Sequence, residues 1–321
     1  MPLKYLFIIV TVLIAAGCKV RDVSVSQTHA CAIQPKTISL PGDRKSVINR
    51  LVCWGDDAPE PPQGSLTPKD VATASFQTCL IHSVTQEDNT KRNELSCWGN
   101  GPIVYDFEDW NFERYGAPSR IATSETQACG VFDDDKDLRC WGKGVVAPNI
   151  LAADNVVDFA VGNDHVCAII QDPDSPRKVR CWRAREYDSP WITGWYWDET
   201  DDRISNIPDS ITNPSDIAVT NYHSCVVQNR ELICWGSNLT ISDELQAKID
   251  QYGVDSISSS KTRICMTING TVECVGQYIQ YQPESFSEAA VDIVSLTEYF
   301  ACGMTLEDKV VCWGDERFAS H

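Results

Sequence analysis

The chain has 321 residues, with 27 Lys and Arg against 45 Asp and Glu, a formal net charge of −18. This excludes a nucleic-acid binder, which needs a basic footprint to displace counterions from phosphates. An apolar fraction of 43% beside a charged fraction of 22% belongs to a chain that buries a core, so wholesale disorder is excluded too. Fifteen cysteines are many for a protein kept reduced and point to an oxidising compartment or to metal.

In chain order, residues 1–17 form an export signal. Lys4 supplies the positive n-region, and Tyr5 to Ala16 make an uncharged, largely apolar run too short to span a bilayer. The run ends in Ala15, Ala16, Gly17 and Cys18, which resembles a bacterial lipoprotein box, with Ala15 where Leu is commoner. That resemblance implies cleavage before Cys18 and acylation of its thiol; ordinary secretion is the alternative. Lipid on Cys18 would anchor the mature protein to a membrane without spanning it. Lys19, where inner-membrane retention has Asp, implies the outer membrane if the host is Gram-negative.

The remaining fourteen cysteines fall into seven consecutive pairs: Cys31 and Cys53, Cys79 and Cys97, Cys129 and Cys140, Cys167 and Cys181, Cys225 and Cys234, Cys265 and Cys274, Cys302 and Cys312. Each pair sits in the same unit: an alternating apolar run, a polar stretch, Cys followed by apolar residues, a variable loop, then Cys-Trp-Gly. The first cysteines recur with a mean period of about 45 residues, in the range of propeller blades. Trp follows the second cysteine at 54, 98, 141, 182, 235 and 313; the sixth unit has Val275 there, and the fourth has Arg183 in place of Gly. The units occupy about 20–57, 69–101, 118–144, 155–185, 214–238, 254–278 and 290–316.

Alternating apolar runs bounded by turn residues are strands, and the unit contains no helix-period segment. Asn269-Gly270 is the strongest two-residue hairpin turn. Counting outward from it sets Ile268 against Thr271, Thr267 against Val272, Met266 against Glu273, and Cys265 against Cys274. That cysteine pair falls at a non-hydrogen-bonded site, where side chains are close enough for a disulfide. The same count about Asn229-Arg230 pairs Cys225 with Cys234, and in the other units a longer loop joins the two strands. Seven within-repeat disulfides are expected, each adding about 2–4 kcal/mol. Metal is the weaker reading, since no Cys-x-x-Cys occurs and no His stands at zinc spacing.

Seven strand-rich units arranged radially cover one another's apolar faces. The expected fold is therefore an all-β, seven-bladed β-propeller over 18–321 with one disulfide per repeat. His29-Ala30-Cys31, His165-Val166-Cys167 and His223-Ser224-Cys225, each followed by Cys-Trp, carry the resemblance. The chain resembles the regulator-of-chromosome-condensation repeat family, in an extracytoplasmic, Cys-paired form, over about residues 20–316. The resemblance implies binding of another protein on a propeller face. Members of that family include a nuclear guanine-nucleotide exchange factor, chromatin binders and secreted β-lactamase inhibitors, and the export signal is at odds with a nuclear role.

The Trp of Cys-Trp-Gly is expected to pack between blades beside a disulfide, with the Gly giving a tight strand exit. His29, His165 and His223 share one repeat position and are expected to tie down neighbouring backbone; His82 and His321 fall outside it. Two inserts, 103–115 and 185–202, are rich in aromatics and carboxylates and carry Trp110, Tyr115, Trp191, Trp195, Tyr196 and Trp197. Two roles fit them: a recognition surface for a protein with a basic surface, or a plug over the propeller face or channel. Asp133 to Asp137 is read as a solvated turn and not a calcium site. Asn238 and Asn269 match the glycosylation acceptor pattern, accidentally in a bacterial lipoprotein.

Catalytic and nucleotide-binding motifs are absent. The expected function is a monomeric, non-enzymatic protein-interaction module without cofactor, metal or nucleic acid, held at the membrane by lipid on Cys18. The alternative is a lyase or hydrolase at the channel mouth, marked by carboxylates and a His converging in one pocket.

Overall fold

The computed structural model describes residues 22–40, 44–55, 58–61, 67–101, 103, 116–132, 137–142, 154–186, 195–198, 206–237, 239–276, 291–298, 300–305 and 310–314. Cys18, Trp110, Tyr115, Trp191, residues 133–136, Asn238 and His321 lie outside them.

Each repeat folds as its own antiparallel sheet, and there are seven sheets. Blade one is β1 (Asp22–Val25), β2 (Ala30–Leu40) and β3 (Arg44–Trp54). Blade two is β4 (Thr67–Ala74), β5 (Gln77–Thr85) and β6 (Lys91–Gly99). Blade three is β7 (Pro118–Thr123), β8 (Gln127–Phe132) and β9 (Asp137–Gly142). Blade four is β10 (Val156–Val161), β11 (His165–Ile170), β12 (Lys178–Glu186) and β13 (Trp195–Asp198). Blade five is β14 (Asp216–Val219), β15 (His223–Gln228) and β16 (Glu231–Gly236). Blade six is β17 (Ser256–Ser259), β18 (Arg263–Ile268) and β19 (Thr271–Gly276). Blade seven is β20 (Val291–Leu296), β21 (Phe300–Thr305) and β22 (Val310–Gly314).

Every hairpin register puts the two cysteines of its repeat directly opposite each other, as the count from Asn269-Gly270 requires. All seven pairs are bridged, with Cα atoms 4.0–4.1 Å apart, the close spacing of non-hydrogen-bonded partners. Such a set of cystines belongs to an oxidising, extracytoplasmic compartment. No helix among the described residues is long and apolar enough to cross a membrane.

The core lies between the blades. The buried apolar residues form seven clusters, each drawn from two adjacent blades. The repeat tryptophans take part in a regular way. Trp182 packs on Cys129 and Cys140, Trp235 on Cys167 and Cys181, and Trp313 on Cys265 and Cys274. Each ring thus covers the cystine of the blade before it, and in blade six Val275 takes the place against Cys225. The following glycine is needed for its backbone: Gly236 has φ +109, and a Cβ there would lie 2.3 Å from the Tyr222 carbonyl oxygen. Arg183 replaces that glycine in the blade whose third strand runs on and gains a fourth.

Three-stranded blades set a connection problem. With an odd number of strands the chain leaves the outer edge at the end opposite to that where the next innermost strand begins, so each linker must cross the blade's full height. Between blades five and six that crossing is α1 (Asp243–Tyr252), capped by Ser242 Oγ accepting from Leu245 N and buried through Leu245 and Ile249. The helix lies between the fifth and sixth units, outside the repeat read as strand. One correction concerns the long first pair. Its extra residues do not make a loop; β2 and β3 stay paired from Ala30 and Trp54 out to Leu40 and Arg44.

Candidate interaction face at the channel mouth

The turns that join each innermost strand to the next converge on the propeller axis at one end, here called the mouth. The residue four places before each first cysteine forms the ring there: Gln27, Ser75, Glu125, Asn163, Asn221, Lys261 and Glu298. The turn recurs through a backbone hydrogen bond, as from Ser26 N to His29 O, Gly162 N to His165 O and Thr220 N to His223 O, and in blades one and five a hydroxyl also ties it. Ser26 Oγ donates to His29 O at 2.9 Å and accepts from His29 N at 3.2 Å, and Thr220 does the same for His223 at 3.3 and 2.9 Å.

The ring is wired across the axis. Gln27 Nε2 donates to Glu125 Oε1 at 2.7 Å and to Glu298 Oε2 at 2.6 Å. Glu125 Oε2 also receives Lys261 Nζ at 3.1 Å and Asn163 Nδ2 at 3.2 Å. The hydrogen bond to Glu125 holds the Lys261 ammonium above its ordinary value. Glu298 is 5% exposed. Beneath it lies Arg263, whose burial pushes its pKa down to about 10, against the opposing pull of Glu298. The cavity enclosed by the ring has about 90 Å³, room for a few waters and well under the volume of an ordinary small-molecule site.

The histidines stand behind this ring and do not line the cavity. His29 Nε2 lies 2.7 Å from Thr78 Oγ1, and His165 Nε2 lies 2.8 Å from Ser224 Oγ, in each case on the next blade. The expected tie to backbone is thus made by Ser26 and Thr220, while His29 and His165 join blades through hydroxyls and His223 Nδ1 lies 3.3 Å from Thr220 Oγ1 of its own turn. Burial pushes the His29 pKa down to about 4, so the ring is neutral at pH 7. His82 is buried in blade two, 2.9 Å from Ser96 Oγ.

On the mouth face, one residue beyond the ring, Phe76 and Tyr222 are 49% and 55% exposed. Sequence reading passed over both, and over the ring, although aligning the seven units on their first cysteine brings each set into register. Of the six aromatic candidates, Trp195, Tyr196 and Trp197 fall in β13, whose backbone pairs with Glu186, Arg185 and Ala184. Those partners extend past His165, where β11 begins. β13 therefore lies beyond the mouth end of β11 at the outer edge of blade four, and its backbone is outside the central channel. The structure does not bring it together with the axial ring.

No protein-family model matches the sequence. The CRINKLY WD40 ectodomain from the Arabidopsis thaliana receptor kinase ACR4 is similar with a TM-score of 0.60 at 17% identity, over 92% of this chain and 96% of that one. An acylaminoacyl peptidase from Pyrococcus horikoshii is similar with a TM-score of 0.52 at 8% identity, over 95% of this chain and 52% of that one. The chain is a seven-bladed β-propeller. At these identities the likeness is one of fold, and a propeller carries many functions.

Proposed function

We propose that this chain is a lipid-anchored member of the regulator-of-chromosome-condensation repeat class, acting outside the cytoplasm as a non-enzymatic protein-interaction module through its mouth face. The observation that carries the reading is the wired ring. Its carboxylates, Glu125 and Glu298, are engaged by Gln27, Asn163 and Lys261, and no histidine lines the cavity among the described residues. A hydrolytic or lyase site needs a carboxylate or histidine free to move a proton; this mouth offers a rigid polar floor. Around it, exposed Phe76 and Tyr222 supply aromatic anchors of the kind that dominate protein interfaces, and the Trp195 to Trp197 segment, at the outer edge of blade four, is a candidate to extend them. The carboxylates of ring and insert favour a partner with a basic surface.

The test is affinity capture from host envelope extract with the mature chain carrying Cys18→Ser, beside Phe76→Ala with Tyr222→Ala and beside a chain lacking 191–197. A protein retained in stoichiometric amount by the parent and lost from either variant is the expected result. Equal recovery on all three baits would remove the mouth face from consideration.

A further inference from the structure

At the end of the propeller opposite the mouth, one hairpin is unlike the others. The hairpins of blades five and six close three residues beyond their first cysteine, at Gln228 and Ile268. The ladder of β2 and β3 continues to Leu40 and Arg44, nine residues beyond Cys31. At strand rise this arm extends about 20 Å past those two and about 10 Å past the hairpin of adjacent blade two, whose ladder runs to Thr85 and Lys91. Its two strands contain Lys36, Arg44, Lys45 and Arg50, and the sequence between Cys31 and Cys53 has a single carboxylate, Asp43, in a chain of net charge −18. Lys36 and Arg50 are exposed and share a face with Ile48, 42% exposed, which stands opposite Lys36 and two residues from Arg50; Val47, 55% exposed, is on the other face. The arm is fixed at its root, where Asn49 Nδ2 donates to the Pro68 carbonyl at 3.5 Å.

The N-terminus leaves from the same place. β1 runs antiparallel to β2 with Asp22 opposite Ile33, so the chain enters the blade beside the root of the arm. Cys18 precedes Asp22 by four residues, a leader that spans at most about 14 Å. From Ile33 to Leu40 the arm spans about 24 Å. An acylated Cys18 therefore cannot hold the blade farther from a bilayer than the arm can reach.

We propose that the β2–β3 arm is a second membrane contact, binding the anionic phospholipid surface through Lys36 and Arg50 with Ile48 on the same face entering the headgroup layer, and that it turns the mouth face outward. One weak lipid signal joined to a basic patch is the usual route to stable anchoring. The orientation rests on the acylation proposed above; the affinity of the arm for an anionic surface does not.

The test uses the full mature chain with Cys18→Ser, so that no lipid contributes, in cosedimentation with phosphatidylcholine vesicles with and without phosphatidylglycerol. Binding to the phosphatidylglycerol vesicles alone, released by high salt, is expected. Lys36→Glu with Arg50→Glu should weaken it about tenfold or more. Arg177→Glu with Lys178→Glu, across the ring on blade four, makes the same change in net charge and should leave it within about twofold. Non-reducing peptide maps and melting curves check that both variants fold. Absence of binding by the parent, or equal loss in both double variants, would overturn the proposal. So would capture by a soluble polyanion without binding to vesicles, which would assign the arm to an acidic macromolecule. Mass spectrometry of Cys18 in the native protein tests acylation separately; an unmodified thiol removes the orientation and leaves the vesicle result standing.

Discussion

His29 couples protonation to the join between the first two blades. Its ring is buried, 2.7 Å from Thr78 Oγ1 of the next blade, with a pKa near 4 against about 6.5 in an unfolded chain. Because the folded value is depressed, the unfolded state binds the extra proton between those two values. The stabilisation is full above pH 6.5 and is lost as pH falls towards 4, amounting to about 3 kcal/mol once both states are protonated. Gln77 and Gln127 hold the same position in blades two and three, so His29→Gln is a substitution the repeat accommodates. Melting temperatures at pH 7 and pH 4.5 should differ less for His29→Gln than for the parent; an unchanged difference would show that other groups carry the acid sensitivity.

At the scale of the element, each blade is a hairpin pinned by a cystine and covered by the tryptophan of the next, or by Val275 in the case of blade five. Trp141, 3% exposed, lies against Cys79 and Cys97, and Trp141→Ala should cost about 3–5 kcal/mol by denaturant titration. The cystines differ in the chain they close, from 22 residues for Cys31–Cys53 to 9 for Cys225–Cys234. If loop entropy governs, paired Cys→Ser replacement should cost about 0.8 kcal/mol more at the first than at the second, read from the same titrations. This level of structure was legible in the sequence: the turn at Asn269-Gly270 sets a register that places both cysteines, and the unit repeats seven times. The helix α1 has local signals in Ser242, Asp243, Glu244 and Gly253 and a short apolar stripe in Leu245 and Ile249. It escaped because it lies in a linker, where a strand-based unit sets no expectation. The axial ring escaped for another reason. Gln27 meets Glu125 and Glu298 from 98 and 271 residues away, and only closure of the circle makes them neighbours.

Closure belongs to the whole molecule. No strand of a described sheet is exchanged between the chain ends; the circle is shut by side chains, with Val23, Val25, Ala30 and Ala32 packed on Cys302 and Val310, and Val25 N donating to Ser295 Oγ at 3.0 Å. A chain ending at residue 276 should therefore expose both faces of that seam, bind a hydrophobic dye and lose resistance to trypsin, although six disulfide hairpins remain. Resistance equal to the parent would mean that the blades are stable without their neighbours. The odd number of strands has a consequence for how such a protein can diverge. Because the chain must return from the outer strand of a three-stranded blade to the far end of the next innermost strand, the circumference is where it has slack. Residues can be gained or lost there, or turned into a helix or an extra strand, without moving the axis. The strand β13 on blade four and the helix before blade six are two different uses of that freedom.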